Sequence, residues 1–149
     1  MSKKNKTVYT NDLIRQTVEG QRFEAMDFDS KFTGSTFRSV VFDRCRFDRV
    51  LMRNTNWIDC DFSGSTMVVD FTDAYFERCV FNGVSVKGQM CEYGGVRARF
   101  TACDFTNAKF NWVCLRACRF VDCHFDLASL VECDLRGATH DGMPLLNSG

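Results

Sequence analysis

At 149 residues, with Lys plus Arg and Asp plus Glu balanced at 19 each, the chain suits one domain with a continuous core and lacks the charge excess of a nucleic-acid-binding protein. No run approaches the roughly 18 to 20 apolar residues of a membrane span, and Met1 to Lys6 leads into polar residues rather than an apolar signal core. Nine cysteines, an odd number without a secretory leader, read as reduced thiols, so the chain is expected to be cytoplasmic.

Residues 1–20 read as an N-terminal tail and cap, with Val8 to Gly20 covering the start of the next region. From residue 21 a period of five takes over, which neither the helical period of 3.6 nor the strand period of two explains. Large apolar residues fall at Phe32, Phe37, Phe42, Phe47, Met52, Trp57, Phe62 and Met67. They return at Phe100, Phe105, Phe110, Leu115, Phe120, Phe125, Leu130 and Leu135. Two residues before each centre sits something small, such as Ser35, Val40, Cys45 and Thr55, or Ala98, Cys103, Ala108 and Cys118. Self-similarity at a fixed period marks a repeat architecture whose units bury their faces only by stacking.

The units Cys60-Asp61-Phe62, Cys103-Asp104-Phe105 and Cys133-Asp134-Leu135 join a small residue, an Asp and a large apolar centre. This pattern resembles the pentapeptide-repeat family over residues 21–137. The resemblance implies an all-β fold, a right-handed quadrilateral β-helix with four repeats per coil. Single-residue slips at 28–32, 67–71 and 86–90 give 24 centres from Phe23 to Leu135, hence about six coils. At the strand spacing these make a rod about 29 Å long. On that register one face carries a core ladder of Phe23, Phe42, Phe62, Phe81, Phe100 and Phe120. The repeat fails at 87–99, where Gly95 falls at a core centre and Tyr93 at a small position, so an irregular coil is expected there. Residues 138–149, with the only proline, read as a C-terminal tail.

Cys114, Cys118, Cys123 and His124 lie close together, but seven cysteines (45, 60, 79, 103, 118, 123 and 133) occupy the small inward position, where Cys is a compact apolar residue. No metal site and no cofactor are expected. Cys91 and Cys114 fall outside the inward positions as candidate exposed thiols. With two histidines, His124 and His140, and no nucleophile motif, no enzyme is expected.

Function then belongs to the outer faces. The expected register makes the Phe23 face neutral and groups Asp27, Asp29, Asp48, Asp104 and Asp126 on an acidic neighbour. It places Arg38, Arg78, Arg97, Arg116 and Arg136 on a basic one. Outward apolar residues are Leu51, Ile58, Tyr75, Trp112, Leu127 and Val131, of which Trp112, Leu127 and Val131 gather at one place and form the candidate partner-binding surface. Three readings are open. The first is a non-enzymatic protein-binding scaffold of effector, adaptor or toxin-immunity type, its protein partner unnamed by the sequence. The second, implied by the family resemblance, is a DNA mimic that binds DNA gyrase and protects it from quinolones or peptide toxins, using the acidic face. The third is a solenoid that stacks on itself, for example as a homodimer through its coil ends. Neither direct nucleic-acid binding nor membrane association is expected.

Overall fold

In this computed structural model the described residues are Val8–Tyr9 and 12–148; of the segment read as tail and cap, residues 1–7, 10 and 11 lie outside them, as does Gly149. The unit of structure is the five-residue repeat. The centre and the residue two before it point inward, and the residues on either side of the centre point out. The residue two after the centre turns the corner. Trp57, Phe62 and Leu115 are fully buried centres, and Thr55, Cys60 and Val113 are their buried small partners.

The corners have a backbone cost. Arg44, Asn54, Asp59, Trp112 and Leu127 all turn there with φ of 53°, 57°, 56°, 56° and 60°. A left-handed residue other than glycine costs about 1 kcal/mol, which the core and the ladders between coils offset.

Parallel pairing stacks the repeats into four faces, and the described residues contain strands and turns but no helix. One face is a seven-stranded sheet running from Val8–Tyr9 through Asp27–Phe28, Arg46–Leu51, Thr66–Asp70, Ser85–Lys87 and Lys109–Asn111 to Ser129–Val131. A second, eight-stranded sheet begins at Thr17–Glu19 and carries the centres Val18, Phe37, Trp57, Phe76, Phe100, Phe120 and His140. The other two faces are held mostly by single bridges between coils, such as Val41 to Asp61 and Gly94 to Cys114. The result is a β-solenoid of about six turns. Strand pairing begins before residue 21, because Val18 and Leu13 already occupy core positions.

Aromatic stacking fills the interior. The Trp57 ring lies parallel to Phe37 at 4.0 Å and to Phe76 at 5.9 Å. Its indole N–H donates to Thr55 Oγ1 at 2.7 Å, and the Thr55 hydroxyl donates to the Met52 carbonyl at 2.6 Å. A large polar-tipped ring is thus buried without an unpaired donor.

Two of the three expected slips occur where the spacing places them. At the second, Arg49 bulges out of the ladder between Asp48 and Val50, and Val69 pairs with Val50. The third is different. Met90 does not become a core centre but stands 75% exposed on a turn, while Gly95 occupies the next buried centre. The coil between Asp73 and Arg97 therefore takes 24 residues, against 19 between Asp59 and Arg78 and 20 between Glu24 and Arg44.

This corrects the expected ladder. Above Phe81 lies Phe105, not Phe100, with parallel rings 4.8 Å apart, and Phe125 follows at 5.1 Å. Phe100 stacks instead on Phe76, and Phe120 on Phe100, each at 4.7 Å. The physical cause is glycine. A Cβ on Gly95 would lie 2.5 Å from the Phe71 ring, which fills the space a large centre would need. On Gly88 it would lie 1.8 Å from the Trp112 carbonyl oxygen.

At the C-terminal end the chain turns back on itself. Met143–Pro144 pairs antiparallel with Thr139–His140, and the Asn147 side-chain amide bonds both the N–H and the C=O of Cys133, at 2.9 and 3.1 Å. Ser148 bonds Leu130 in the same two senses. The tail thus supplies hydrogen bonds that another coil would make.

Candidate partner-binding surface

Trp112, Leu127 and Val131 come together on the outside of the seven-stranded face. Trp112 follows Asn111, which pairs with Val131 on the next coil, and the Trp112 N–H donates to the Val131 carbonyl at 2.9 Å. Leu127 turns the corner that leads into this face. Their exposures are 43% for Trp112, 81% for Leu127 and 40% for Val131, so each presents apolar area to solvent. Leu51, Ile58 and Tyr75 are only half-buried and scattered; the Tyr75 ring is covered by the Arg99 guanidinium at 4.8 Å.

Sequence reasoning missed Met90. The interrupted coil brings it to the same region, since the N–H of the next residue, Cys91, donates to the Trp112 carbonyl at 2.7 Å. The Gly88, Gly94 and Gly95 spacing was the available signal. Farther along the same sheet lies a groove of about 400 Å³ lined by Arg46, Asp48, Arg49, Thr66, Val68, Lys87 and Gln89. Among the described residues, Arg46 and Lys87 have no ion-pair partner, whereas Arg49 pairs with Asp48 at 3.1 Å.

The expected acidic face does not exist as one surface. Asp27, Asp29 and Asp48 lie on the seven-stranded face, but the long coil moves Asp104 and Asp126 to the Phe23 face, where Asp104 is bridged to Val80 and His124. The basic set divides similarly. Arg38 and Arg78 flank the Trp57 face, while Arg97, Arg116 and Arg136 flank the Gly95 and Leu115 face.

Much of the charge is committed within the rod. Asp61 Oδ1 accepts the N–H and hydroxyl of Ser63, and Asp104 Oδ1 accepts those of Thr106, so an Asp before a centre braces its own turn. Arg78 reaches back one coil to grip Asp59 at 2.7 and 3.1 Å, and Arg97 grips Asp73 at 2.9 and 3.1 Å. These hydrogen bonds hold the Asp59 and Asp73 carboxyls below their ordinary range. The pairs are solvent-exposed and contribute little to stability.

All nine cysteines are free. Burial pushes the Cys118 thiol up to about 12, and Cys91 and Cys114 are the two that remain partly open to solvent. Among the described residues no group of three or more His, Cys, Asp and Glu side chains could hold a metal ion, and no helix is long and apolar enough to cross a membrane.

A family model described as "Pentapeptide repeats", in eight copies, matches residues 96–120. No curated protein sequence matches the chain significantly. Among solved structures, full-length QnrB1, a plasmid-mediated fluoroquinolone resistance protein, is similar over 91% of this chain and 91% of its own, with 15% identity and a TM-score of 0.52. The pentapeptide-repeat protein Rfr23 from the cyanobacterium Cyanothece 51142 is similar over 91% of this chain and 85% of its own, with 8% identity and a TM-score of 0.50. At such identities the likeness is one of fold. Five-residue period, four-faced coil and the match over residues 96–120 coincide: the chain carries pentapeptide repeats and has the β-solenoid fold of pentapeptide-repeat proteins.

Proposed function

We propose that this chain is a non-catalytic protein-binding scaffold whose contact surface is centred on Trp112, with Val131, Leu127 and Met90 around it. The observation that carries the reading is the exposed tryptophan among three other exposed apolar side chains, in a rod whose other tryptophan, Trp57, is fully buried. Exposed Trp is a common anchor of protein interfaces, and clustered apolar area is more informative than single exposed residues. His124 stands on the Phe23 face and His140 on the Trp57 face, so the two histidines do not share a face, which supports a binding role over catalysis. Nine free thiols suit a reducing compartment, and we place the protein in the cytoplasm.

The test compares the chain with its Trp112→Ala variant as bait in a cell lysate. The expected result is a specific captured protein that the variant loses by tenfold or more at an unchanged melting temperature. Equal capture by both chains removes this surface.

A DNA mimic acting on gyrase is the second reading. Its support is the carboxylate excess of Asp61, Asp104 and Asp126 on the Phe23 face. With roughly one such carboxylate per coil step of about 4.8 Å, against one charge per about 1.7 Å of duplex DNA, the density is about a third of what mimicry calls for. Self-stacking through the coil ends ranks third, because Asn147 and Ser148 occupy hydrogen-bonding groups of the last coil.

A further inference from the structure

The corrected register stacks four cysteines in one file. Cys60, Cys79, Cys103 and Cys123 each lie two residues before Phe62, Phe81, Phe105 and Phe125, and the bridges Asp61 to Val80, Val80 to Asp104 and Asp104 to His124 keep these repeats aligned on successive coils. All four side chains are buried and all four are free thiols. Each thiol donates to a carbonyl of the preceding coil: Cys60 to Phe37 at 3.4 Å, Cys79 to Trp57 at 3.3 Å, Cys103 to Phe76 at 3.5 Å and Cys123 to Phe100 at 3.4 Å. With one shared orientation, neighbouring sulfurs are displaced by the coil step itself. The rings beside them measure that step: 5.1 Å from Phe62 to Phe81, 4.8 Å from Phe81 to Phe105 and 5.1 Å from Phe105 to Phe125.

This spacing discriminates between two kinds of thiol chemistry. A disulfide needs Cβ atoms about 3.8 Å apart, roughly 1 Å less than the step, so coupling two of these thiols would draw packed coils together. Two metal–thiolate bonds of about 2.3 Å laid end to end span about 4.6 Å, close to the step as it stands. Thiolates favour soft ions. Ions that require four ligands find no third or fourth donor among the described residues. The surroundings are aromatic, so a complex without net charge is favoured over a charged one.

We propose that Cys79 and Cys103, at the narrowest step, form a site for one soft, linearly two-coordinate d10 cation, with mercury(II) the ion whose charge and geometry fit. Binding breaks two S–H bonds, forms two metal–sulfur bonds and releases two protons to solvent, with no electron transferred. Silver(I), equally linear, leaves a negative charge or an unreacted proton in the core and binds less tightly. Entry requires local opening of a coil, so binding is slow.

The test uses the full chain with Cys91→Ser and Cys114→Ser, which removes the two partly open thiols. It is incubated to equilibrium with one equivalent of mercury(II) chloride and read by native mass spectrometry, ultraviolet absorption and melting temperature. The expected result is one mercury per chain, a thiolate-to-metal absorption band and a raised melting temperature, with no response to zinc chloride. Adding Cys60→Ala and Cys123→Ala keeps all three signals. Adding Cys79→Ala and Cys103→Ala, which leaves no two cysteines on adjacent coils of the file, abolishes the stabilisation and weakens binding at least tenfold. Alanine is native to this inward position at residues 98, 108 and 128, so both variants are expected to fold. Equal binding by the two quadruple variants, a zinc response equal to that of mercury, or loss of the β-sheet circular dichroism signal on mercury binding would overturn the proposal.

Discussion

The coil around Trp57 and the coil that ends at Gly95 are built from the same repeat and behave differently. In the first, every centre is a large side chain and the indole N–H is satisfied internally. In the second, a glycine stands at one centre, the Phe71 ring lies against it, and a small void of about 10 Å³ remains among Phe71, Phe76, Phe81, Phe100 and Phe105. That space is at the lower limit for a single water. A strict repeat fixes structure and leaves little to vary, whereas an interrupted one releases a loop, exposes Met90 and rotates the coils beyond it into a new register.

The regular coil is most vulnerable at Trp57. Trp57→Ala removes a ring stacked on both sides and leaves the Thr55 hydroxyl without its donor; a loss of about 3–5 kcal/mol is expected in urea denaturation. Gly95→Ala attacks the interrupted coil from inside. Its Cβ meets a buried ring at 2.5 Å, and a loss of about 1–3 kcal/mol is expected in the same measurement. Met90→Ser has the smallest effect on folding and separates the two coils by function instead. The side chain is exposed, so stability should change by less than about 0.5 kcal/mol, while capture of the partner seen with the Trp112 bait falls. If Met90→Ser instead destabilises the chain as much as Gly95→Ala does, the loop is part of the core and the two coils do not differ in kind.

The repeat and the inward positions were legible because a period of five has no competing explanation, and the four-faced coil followed from the family resemblance. Gly95 at a centre and Tyr93 at a small position were legible as well. The course of the chain between them was not. A single-residue slip with Met90 inward and an excursion with Met90 outward leave the next centre at the same residue, so periodicity cannot tell them apart. The choice rests on backbone proximity at Gly88 and Gly94, which a sequence does not display. The Phe ladder and the charged faces inherited that ambiguity beyond Phe81. Trp112, Leu127 and Val131 did not, since their outward direction and mutual spacing depend only on the run from Phe100 onward.

The left-handed corners also constrain what the surface can become. Arg, Asp, Asn, Ala, Leu, Glu and Trp all occupy them, yet no Val, Ile or Thr appears at any position of positive φ among the described residues. A branched Cβ collides with the backbone in that conformation, and an unbranched one does not. The corners therefore form an addressable grid along the rod axis, one row per coil, whose lettering can be rewritten from a restricted alphabet without disturbing the layers beneath. Recognition of a new partner is then reachable by single exchanges at corners such as Ala117 or Ala102, provided the newcomer is unbranched at Cβ.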